Sequence, residues 1–335
     1  MYNRTEQILE QYSFSVNQTY KGRGALICDT DQGLKILKEY KGSEARADFL
    51  YKILLFLKES GIRRVDCIVK TKEERTIAVD VDETTYLVRD WYEGRECDVK
   101  NREDILKTVR QLAELHQILG GYTGEIPEFL RVLPEGHLRE NEKHYRELKK
   151  VRNYVGAKKK KNDFEMLFTR NYNTFLQQAE QVIVLQKKEC EAVVSGNRQK
   201  EQLYGICHGD FNQHNVIFSR EGVSILNFEK ASYGIQVGDF SNFMRKIMEK
   251  HNWNLGLGVD MLDAYNKIRP LTEPEMKHLY IQLAYPEKFW KISNHYYNSS
   301  KAWMCGRDLE KLTKVIEQND AKERFLQILS YNILF

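Results

Sequence analysis

The sequence predicts an α+β fold in which a small β-rich part is followed by a larger, mostly helical part. Residues 1 to about 92 contain short runs of alternating apolar and polar residues, which are typical of strands, around one helical pattern. From Asn101 onward apolar residues recur at helical spacing, except in a strand-rich block over 203–228. We therefore expect an N-terminal lobe over residues 1–94 and a C-terminal lobe over residues 95–335.

The predicted order of elements in the N-terminal lobe is β-β-α-β-β-β. Residues 19–40 read as two strands joined by a turn at Asp29–Gly33, because polar turn residues separate two alternating runs. Ser43 is placed to cap a helix that carries an apolar face and ends at Gly61. Three further strands are predicted at 62–70, 75–82 and 84–92. The lobe is therefore expected to be a small sheet with one helix.

The C-terminal lobe reads as helices on either side of the strand-rich block. Asn101 is placed to cap the first helix, and its apolar stripe includes His116, a position more typical of a core histidine than of a ligand. A second helix is expected from about Asp163, and Thr272 with Glu275 predicts a capping box farther on. These patterns predict helices and reveal no recognisable pocket chemistry.

Composition and charge exclude several classes of protein. The 335 residues are 41% hydrophobic and carry a formal net charge of +4, which allows a sizeable core and is too little to indicate nucleic-acid binding. The N-terminus lacks a signal-peptide pattern, and no apolar run approaches the ~18 residues that a membrane span needs. The six cysteines form no CxxC pair, which favours free thiols and synthesis in a reducing cytoplasm.

The strand-rich block reads as a strand, a polar loop and a hairpin. YGIC at 204–207 is a short apolar strand that leads into HGDFNQHN at 208–215. VIF at 216–218 and VSIL at 223–226 flank the four-residue turn SREG at 219–222. The block thus predicts a β-hairpin directly after the polar loop.

The hairpin brings three polar residues together. If its turn is centred between residues 220 and 221, Asn215 faces the residue before Asn227 and lies diagonal to Asn227 itself. Facing and diagonal side chains lie within ~5–8 Å of each other. Asp210, Asn215 and Asn227 should therefore converge at one end of the hairpin.

This cluster suits phosphoryl transfer. One carboxylate must orient the attacking hydroxyl and accept its proton, and an amide oxygen with further carboxylates must hold the Mg²⁺ that bridges the phosphates. Asp210 is placed for the first role and Asn215 for the second. Their HxDxxxxN spacing is that of the kinase catalytic loop. The expected cofactors are therefore ATP and Mg²⁺.

The block resembles the aminoglycoside phosphotransferase and choline kinase branch of the protein-kinase-like superfamily, in which HxDxxxxN is followed by a strand ending in D-x-E/D, a glycine and another aspartate. The matching residues are His208, Asp210, Asn215, Glu229, Gly234 and Asp239. Asn227 stands where the metal-binding aspartate is expected. The resemblance implies a protein-kinase-like two-lobed fold with a metal at Asn215, Asn227 and Glu229. It leaves His208 and Asp239 as structural support.

The same resemblance assigns the nucleotide side of the site. Lys38, at the end of the run KILK, matches the strand lysine that holds the α- and β-phosphates. Glu44, early in the following helix, is the candidate ion-pair partner of Lys38, and Asp48 lies one turn later. Acidic residues also favour the first turn of a helix through its dipole, so Glu44 has a purely structural explanation as well.

Two further segments complete the nucleotide side. Residues 21–24, KGRG, are placed to cover the phosphates but form a poor glycine-rich loop. Residues 89–94, RDWYEG, match the hinge, whose backbone groups would meet an adenine. Asp90 and Tyr92 are the nucleotide-binding residues assigned to this hinge.

A narrower resemblance spans most of the chain. Residues 142–165, 208–218, 227–230 and 243–254 look like the CotS family of bacterial spore coat proteins, a family similar to the aminoglycoside phosphotransferases. This resemblance implies association with the spore coat and spore coat proteins as partners.

The basic stretch from Lys143 to Lys161 has two interpretations. A charge run of this kind is most often a solvated face, and it is also suited to an anionic partner. Nucleic acid is the less favoured partner because no interleaved aromatic platform accompanies the run.

Asn227 leaves the reaction open. Mg²⁺ favours a carboxylate over a neutral amide, so metal affinity should fall, and with it the main electrostatic contribution to catalysis. By the two-residue period of a strand, Glu229 would face the same way as Asn227 and could supply the missing carboxylate. Two functions stay open: an ATP-dependent phosphotransferase acting on a hydroxyl group, and a spore coat pseudokinase with impaired or absent transfer.

Overall fold

The structure is a computed structural model that describes most of the chain. The described residues are 2–22, 24–194, 203–298 and 305–334. They form two compact units. The units are Met1–Arg131 with Gly205–Tyr233, and Val132–Tyr204 with Gly234–Phe335. This division differs from the expected boundary after residue 94, because the first C-terminal helix and the hairpin group with the N-terminal sheet.

Strands and helices are numbered in chain order. The strands are β1 (Val16–Gly22), β2 (Ala25–Thr30), β3 (Gly33–Glu39), β4 (Ala78–Val79), β5 (Thr85–Asp90), β6 (Arg95–Glu96), β7 (Tyr204–Cys207), β8 (Val216–Ser219), β9 (Gly222–Ile225) and β10 (Ser232–Ile235). The helices are α1 (Tyr2–Leu9), α2 (Glu44–Glu59), α3 (Arg102–Leu119), α4 (Pro134–Ala157), α5 (Asp163–Val194), α6 (Val237–Lys250), α7 (Leu255–Asn266), α8 (Glu273–Ala284), α9 (Glu287–Asn298), α10 (Cys305–Glu317) and α11 (Asn319–Leu334).

The first unit is built on a five-stranded antiparallel sheet with the order β1-β2-β3-β5-β4. Lys38 lies opposite Leu87 and Ile36 lies opposite Arg89 in the register of β3 with β5. Residues two apart on a strand share a face, and so do directly opposed residues. Lys38 and Arg89 therefore project from the same face of the sheet. The opposite face carries Leu37 and a buried cluster with α1.

The helix predicted after Ser43 is confirmed as α2. The Ser43 side chain accepts a hydrogen bond from the backbone amide of Arg46, and the predicted apolar face is buried. The strand predicted at 62–70 was wrong. Its residues form only isolated bridges, Val65 to Ile225 and Ile68 to Arg89, and two unrelated partners cannot make a continuous ladder. The strand predicted at 75–82 is reduced to the two residues of β4.

The predicted hairpin is confirmed in strands and register. Val216 pairs with Ile225 and Ser219 pairs with Gly222, so the turn is centred between residues 220 and 221. The backbone amide of Leu226 donates to the carbonyl of Asn215 at 2.9 Å, which extends the pairing by one residue. The hairpin therefore brings the end of the polar loop beside the chain that leaves β9.

The second unit is helical, with its long helices α4 and α5 packed on each other. Rings of α5 stack on Phe289 of α9, with centroids 5.5 Å away for Phe168 and 4.1 Å away for Phe175. The predicted capping box at Thr272 and Glu275 is confirmed at the start of α8. Within the described part of the chain, none of the helices combines the length and apolar character that crossing a membrane requires.

Candidate functional site

His208 fixes the polar loop to the end of the hairpin. The ring is fully buried, and its Nε2 lies 3.0 Å from the carbonyl oxygen of Leu226. Its Nδ1 accepts a hydrogen bond from the backbone amide of Asp210 at 3.2 Å. An imidazole that accepts at Nδ1 and donates at Nε2 is neutral, so the geometry supports a structural role for His208.

Gly209 allows the loop to touch the turn that follows β9. Its φ of +79° lies in the left-handed region, and an added Cβ would come within 2.1 Å of the carbonyl oxygen of Lys230. A larger residue would have to push the two backbones apart. Glycine at 209 therefore sets the close approach of the polar loop to residues 228–230, a single turn of 3₁₀ helix.

Asp210 presents its carboxylate at this junction. Asn212 Nδ2 donates to Asp210 Oδ1 at 3.2 Å, and Lys230 Nζ lies 2.9 Å from Oδ2. The Asp210 side chain is 28% exposed, so a hydroxyl group of a substrate has access to it. The residue predicted as the proton acceptor is thus held from two sides and remains reachable.

Asn215 and Asn227 meet as the hairpin predicted. Asn215 Nδ2 donates to the carbonyl oxygen of Asp210 at 2.8 Å, and Asn227 Nδ2 lies 3.5 Å from Asn215 Oδ1. Asn227 has φ 70° and ψ 56°, a left-handed conformation that Asn tolerates better than most residues. The three residues of the predicted cluster therefore lie side by side in one unit.

Glu229 binds two cations from the face of the sheet described above. Its carboxylate lies 3.1 and 3.2 Å from Lys38 Nζ and 2.7 Å from Arg89 Nη2. The expectation that Glu229 and Asn227 share a strand face was wrong, because β9 ends at Ile225 and the 3₁₀ turn replaces the two-residue period. Glu229 is consequently directed to the cations of β3 and β5.

The expected pairing of Glu44 with Lys38 is not formed. Glu44 Oε1 and Oε2 instead accept from Arg75 at 3.0 and 2.9 Å, because the first turn of α2 points toward the loop before β4. Arg46, two residues later in the same turn, donates to the carbonyl oxygens of Glu229 and Ala231 at 3.1 and 2.9 Å. The helix thus supplies a cation that anchors the turn, and the turn supplies the carboxylate for Lys38.

Asp66 is a buried carboxylate that the sequence analysis missed. Its Oδ2 lies 3.0 Å from Arg89 Nη1 and accepts the backbone amide of Asn227 at 2.8 Å. Desolvation raises its pKa to about 6, against the attraction of Arg89. Arg89 therefore joins Asp66 to Glu229, and Asp66 in turn holds the backbone at Asn227.

These residues fit a Mg²⁺ ion poorly. Asn227 is neutral, and the carboxylates of Glu229 and Asp210 already hold Lys38, Arg89 and Lys230. Among the described residues, no group of three or more His, Cys, Asp or Glu side chains is arranged to hold a metal. Mg²⁺ needs near-ideal octahedral oxygen geometry and favours carboxylates. Binding it here would require breaking existing ion pairs.

The two remaining nucleotide segments lie in the same unit. The amide of Asp90 donates to the Cys67 carbonyl at 2.8 Å, and its carboxylate binds Lys35 at 2.8 Å on the opposite face from Lys38. Tyr92 donates its hydroxyl to the Val65 carbonyl at 3.3 Å. A role of Asp90 and Tyr92 in binding an adenine stays a prediction.

The predicted phosphate-covering segment 21–24 lies between paired strands: Lys21 and Gly22 end β1, and Gly24 directly precedes β2. Gly22 pairs with Ala25, and Gly24 has φ +65°. Arg23 lies outside the described residues. The prediction that segment 21–24 covers the phosphates of a nucleotide stays a prediction.

Other predicted residues belong to the second unit. Asp239 is buried in the first turn of α6.

The basic stretch Lys143–Lys161 forms much of α4, which had not been predicted as a helix, and the loop after it. Lys158 of that stretch is bound to Glu165 at 2.5 Å, whereas Lys159 and Lys160 are exposed. Structural support of the site by Asp239 and binding of an anionic partner by Lys143–Lys161 both stay predictions.

Sequence reasoning missed Asp66, Arg46, Arg89 and Lys230. Two weak signals were present: Arg89 opens the segment RDWYEG, and Lys230 directly follows Glu229 in NFEK. Arg46 and Asp66 gave none, because the backbone groups that they bind at residues 227–231 lie 161 to 185 residues away along the chain.

Comparison with known proteins gives a family and a fold. A family model described as "Spore coat putative kinase YutH" matches residues 5–329. Spore coat protein S of Bacillus subtilis (strain 168) is 24% identical over 341 residues, covering 96% of this chain and 93% of that protein.

Solved structures show the fold. The aminoglycoside phosphotransferase of Alicyclobacillus acidocaldarius superposes with a TM-score of 0.81 at 18% identity, covering 98% of this chain and 96% of the other. Amicoumacin kinase hAmiN, solved with AMP-PNP, Ca²⁺ and Ami, gives a TM-score of 0.60 at 13% identity, covering 96% and 92%. The predicted protein-kinase-like α+β fold is confirmed.

Proposed function

The chain belongs to the YutH family of kinase-like spore coat proteins, and from that premise we propose that it binds a nucleotide while its phosphoryl-transfer activity is impaired or absent. The observation that carries the proposal is the arrangement around Asn227. The position expected to hold the metal is neutral, and the neighbouring carboxylate of Glu229 is already bound to Lys38 and Arg89.

Nucleotide binding is supported by the state of Lys38. Its side chain is 38% exposed, so its ammonium remains open to solvent beside Glu229. Arg89 holds Glu229 independently at 2.7 Å, so Lys38 can exchange one anion for another without leaving the carboxylate uncompensated. The similar amicoumacin kinase was solved with a nucleotide analogue, AMP-PNP. Lys38 is therefore the residue proposed to meet the phosphates of ATP.

Impaired transfer follows from charge. In phosphoryl transfer almost all catalysis is positioning and neutralisation of the transferring group, and a single well-placed charge can contribute about 10³–10⁵ in rate. Asn227 supplies no carboxylate for Mg²⁺, and Glu229 and Asp210 are engaged by cations. The residues of the chain would therefore orient a ligand, with Asp210 accepting a hydrogen bond from its hydroxyl group and Lys38 binding its phosphate.

A second function is favoured by one observation, the intact catalytic-loop carboxylate. Asp210 is accessible, oriented by Asn212 and backed by the buried ring of His208. This is the arrangement that an active phosphotransferase acting on a hydroxyl of a small molecule, sugar or coat component would need. Measurable transfer of phosphate from ATP, in the presence of Mg²⁺ or Mn²⁺, would select this function over the first.

The test is an ATP titration with a matched lysine pair. Lys38→Met should weaken ATP binding by about tenfold or more, because a charged hydrogen bond in a partly desolvated site is worth about 1.5–3 kcal/mol. Lys41→Met removes a lysine three residues away whose side chain is 87% exposed, and it should leave the affinity unchanged. Absence of ATP binding at millimolar concentrations by wild type would refute the proposal.

The spore coat context is proposed from the family and from spore coat protein S. Synthesis in the cytoplasm followed by incorporation into the coat, with coat proteins as partners, is the expected course. A strain carrying Asp210→Ala should assemble a normal coat if transfer is dispensable. A defective coat in which the variant protein still localises would show that the carboxylate acts in catalysis.

A further inference from the structure

Lys230 places a positive charge against the carboxylate of the polar loop. Its ammonium lies 2.9 Å from Asp210 Oδ2, and its side chain is 68% exposed. Its backbone lies directly against Gly209, as the 2.1 Å approach of a Gly209 Cβ to its carbonyl oxygen shows. The contact with Gly209 therefore fixes the position of the Lys230 backbone, whereas the exposed ammonium of Lys230 stays accessible to a ligand.

Seven charged groups bind one another or the backbone at residues 227–231, and this set carries a net positive charge. Its cations are Lys38, Arg46, Arg89 and Lys230, and its carboxylates are Asp66, Asp210 and Glu229. Four cations against three carboxylates leave a formal charge of +1. An aspartate at position 227 and a neutral residue at position 230 would lower that charge by two. This difference equals the charge of one Mg²⁺ ion.

The same groups also explain why a divalent cation is poorly accommodated. Asp210 and Glu229, the two carboxylates with solvent access, are each neutralised by a lysine. A metal would have to displace these lysines and then be held by two neutral amides, those of Asn215 and Asn227. A phosphate group needs no such displacement by a cation, because it can pair directly with the ammonium of Lys38 or Lys230.

Building on the nucleotide binding proposed above, we infer that the site takes the polyphosphate of a nucleotide without a divalent cation, with Lys230 and Lys38 supplying the positive charge. Lys38 turns from Glu229, which Arg89 continues to hold, and Lys230 turns from Asp210, which Asn212 continues to hold. Two ammonium groups on different elements, β3 and the 3₁₀ turn, suit a ligand with more than one phosphate group. The proposed ligand class is therefore a nucleoside di- or triphosphate.

The experiment is a calorimetric titration of the full chain with ATP, once in EDTA and once with excess Mg²⁺. Wild type should bind ATP in EDTA at least as tightly as with Mg²⁺. Lys230→Gln should weaken binding in EDTA by about fivefold, the effect of one solvent-screened ion pair. Lys41→Gln is the matched control and should behave as wild type.

A double variant tests the charge argument itself. Asn227→Asp combined with Lys230→Gln should lose affinity in EDTA and regain it with Mg²⁺, giving a difference of about tenfold or more between the two conditions. The variant replaces exposed or half-buried side chains, and a circular dichroism spectrum verifies that it folds.

The outcomes separate the two proposals. Wild-type binding only when Mg²⁺ is present, or an unchanged affinity in Lys230→Gln, would overturn this inference and leave nucleotide binding standing. No binding of ATP in either buffer would overturn nucleotide binding and this inference together.

Discussion

Removing Arg89 should destabilise the protein strongly and in a pH-dependent way. Arg89 and Asp66 are 6% and 4% exposed and lie 3.0 Å apart. Breaking a buried ion pair by deleting one partner costs about 3–5 kcal/mol, because the other charge stays buried without compensation. We expect Arg89→Met to lower the free energy of unfolding by about this amount at pH 8, where the Asp66 carboxyl is ionised.

Lower pH should relieve most of that loss. The pKa of Asp66 is already raised to about 6 by burial, and it rises further when Arg89 is gone. At pH 5 the carboxyl carries a proton and needs no cation, so the destabilisation should shrink to about 1–2 kcal/mol. Glu229 keeps Lys38 as a partner throughout and adds little to the difference.

Urea unfolding followed by tryptophan fluorescence measures this effect, since Trp91 lies directly after β5 and its amide donates to the Leu34 carbonyl at 2.9 Å. Arg75→Met is the control, because the Arg75–Glu44 pair is exposed and its loss should leave the urea midpoint near that of wild type. The double variant Arg89→Met with Asp66→Asn should recover part of the stability.

Two results would refute the reasoning about this buried pair. One is a loss below about 1 kcal/mol at pH 8, which is the range of a surface pair. The other is an equal loss at pH 5 and pH 8, which would mean that packing of the arginine, and not the charge of Asp66, determines the effect.

Three further predictions concern the same region. Gly209→Ala should destabilise the protein by about 2 kcal/mol or more through the clash with the neighbouring turn, whereas Gly33→Ala, with a similar φ of +85° and open space around it, should cost only about 1 kcal/mol in the same urea assay. Because burial raises the folded-state pKa of Asp66 to about 6, above its ordinary value of 3.8, its contribution to stability is full below pH 4 and is lost as pH rises through 6. The stability difference between Asp66→Asn and wild type should therefore move in favour of the variant by up to about 3 kcal/mol as pH rises from 4 to 7.5, and a difference that does not change over that range contradicts the shift. Arg46→Met removes the anchor of the 3₁₀ turn and should speed amide exchange at Glu229 and weaken ATP binding, so unchanged exchange there would exclude the anchoring role.

The hairpin shows what local pattern can predict. Two apolar runs around a four-residue turn fixed the register, and with it the meeting of Asn215 and Asn227. The helix cap at Ser43 was predictable for the same reason, since a cap is decided within four residues. Short-range geometry follows from neighbours in sequence, and these features needed no tertiary information.

The ion pairs of the site could not be predicted in this way. Lys38 and Glu229 are 191 residues apart, and the carboxylate reaches the lysine only because the chain leaves β9 in a left-handed residue and a 3₁₀ turn. Pattern reasoning extended the strand through this point and therefore assigned Glu229 to the wrong face. It assigned Glu44 to Lys38 from proximity in sequence, whereas α2 turns Glu44 toward Arg75.

The most direct test of the account compares the affinities of wild type and Asn227→Asp for ATP, each with and without Mg²⁺. We predict that wild type gains nothing from Mg²⁺, whereas the single carboxylate makes Mg²⁺ tighten ATP binding by the variant severalfold, less than the tenfold of the double variant because Lys230 still neutralises Asp210. That gain would show that the kinase-like geometry survives and that charge alone is missing. An Asn227→Asp variant that folds and still ignores Mg²⁺ would contradict it.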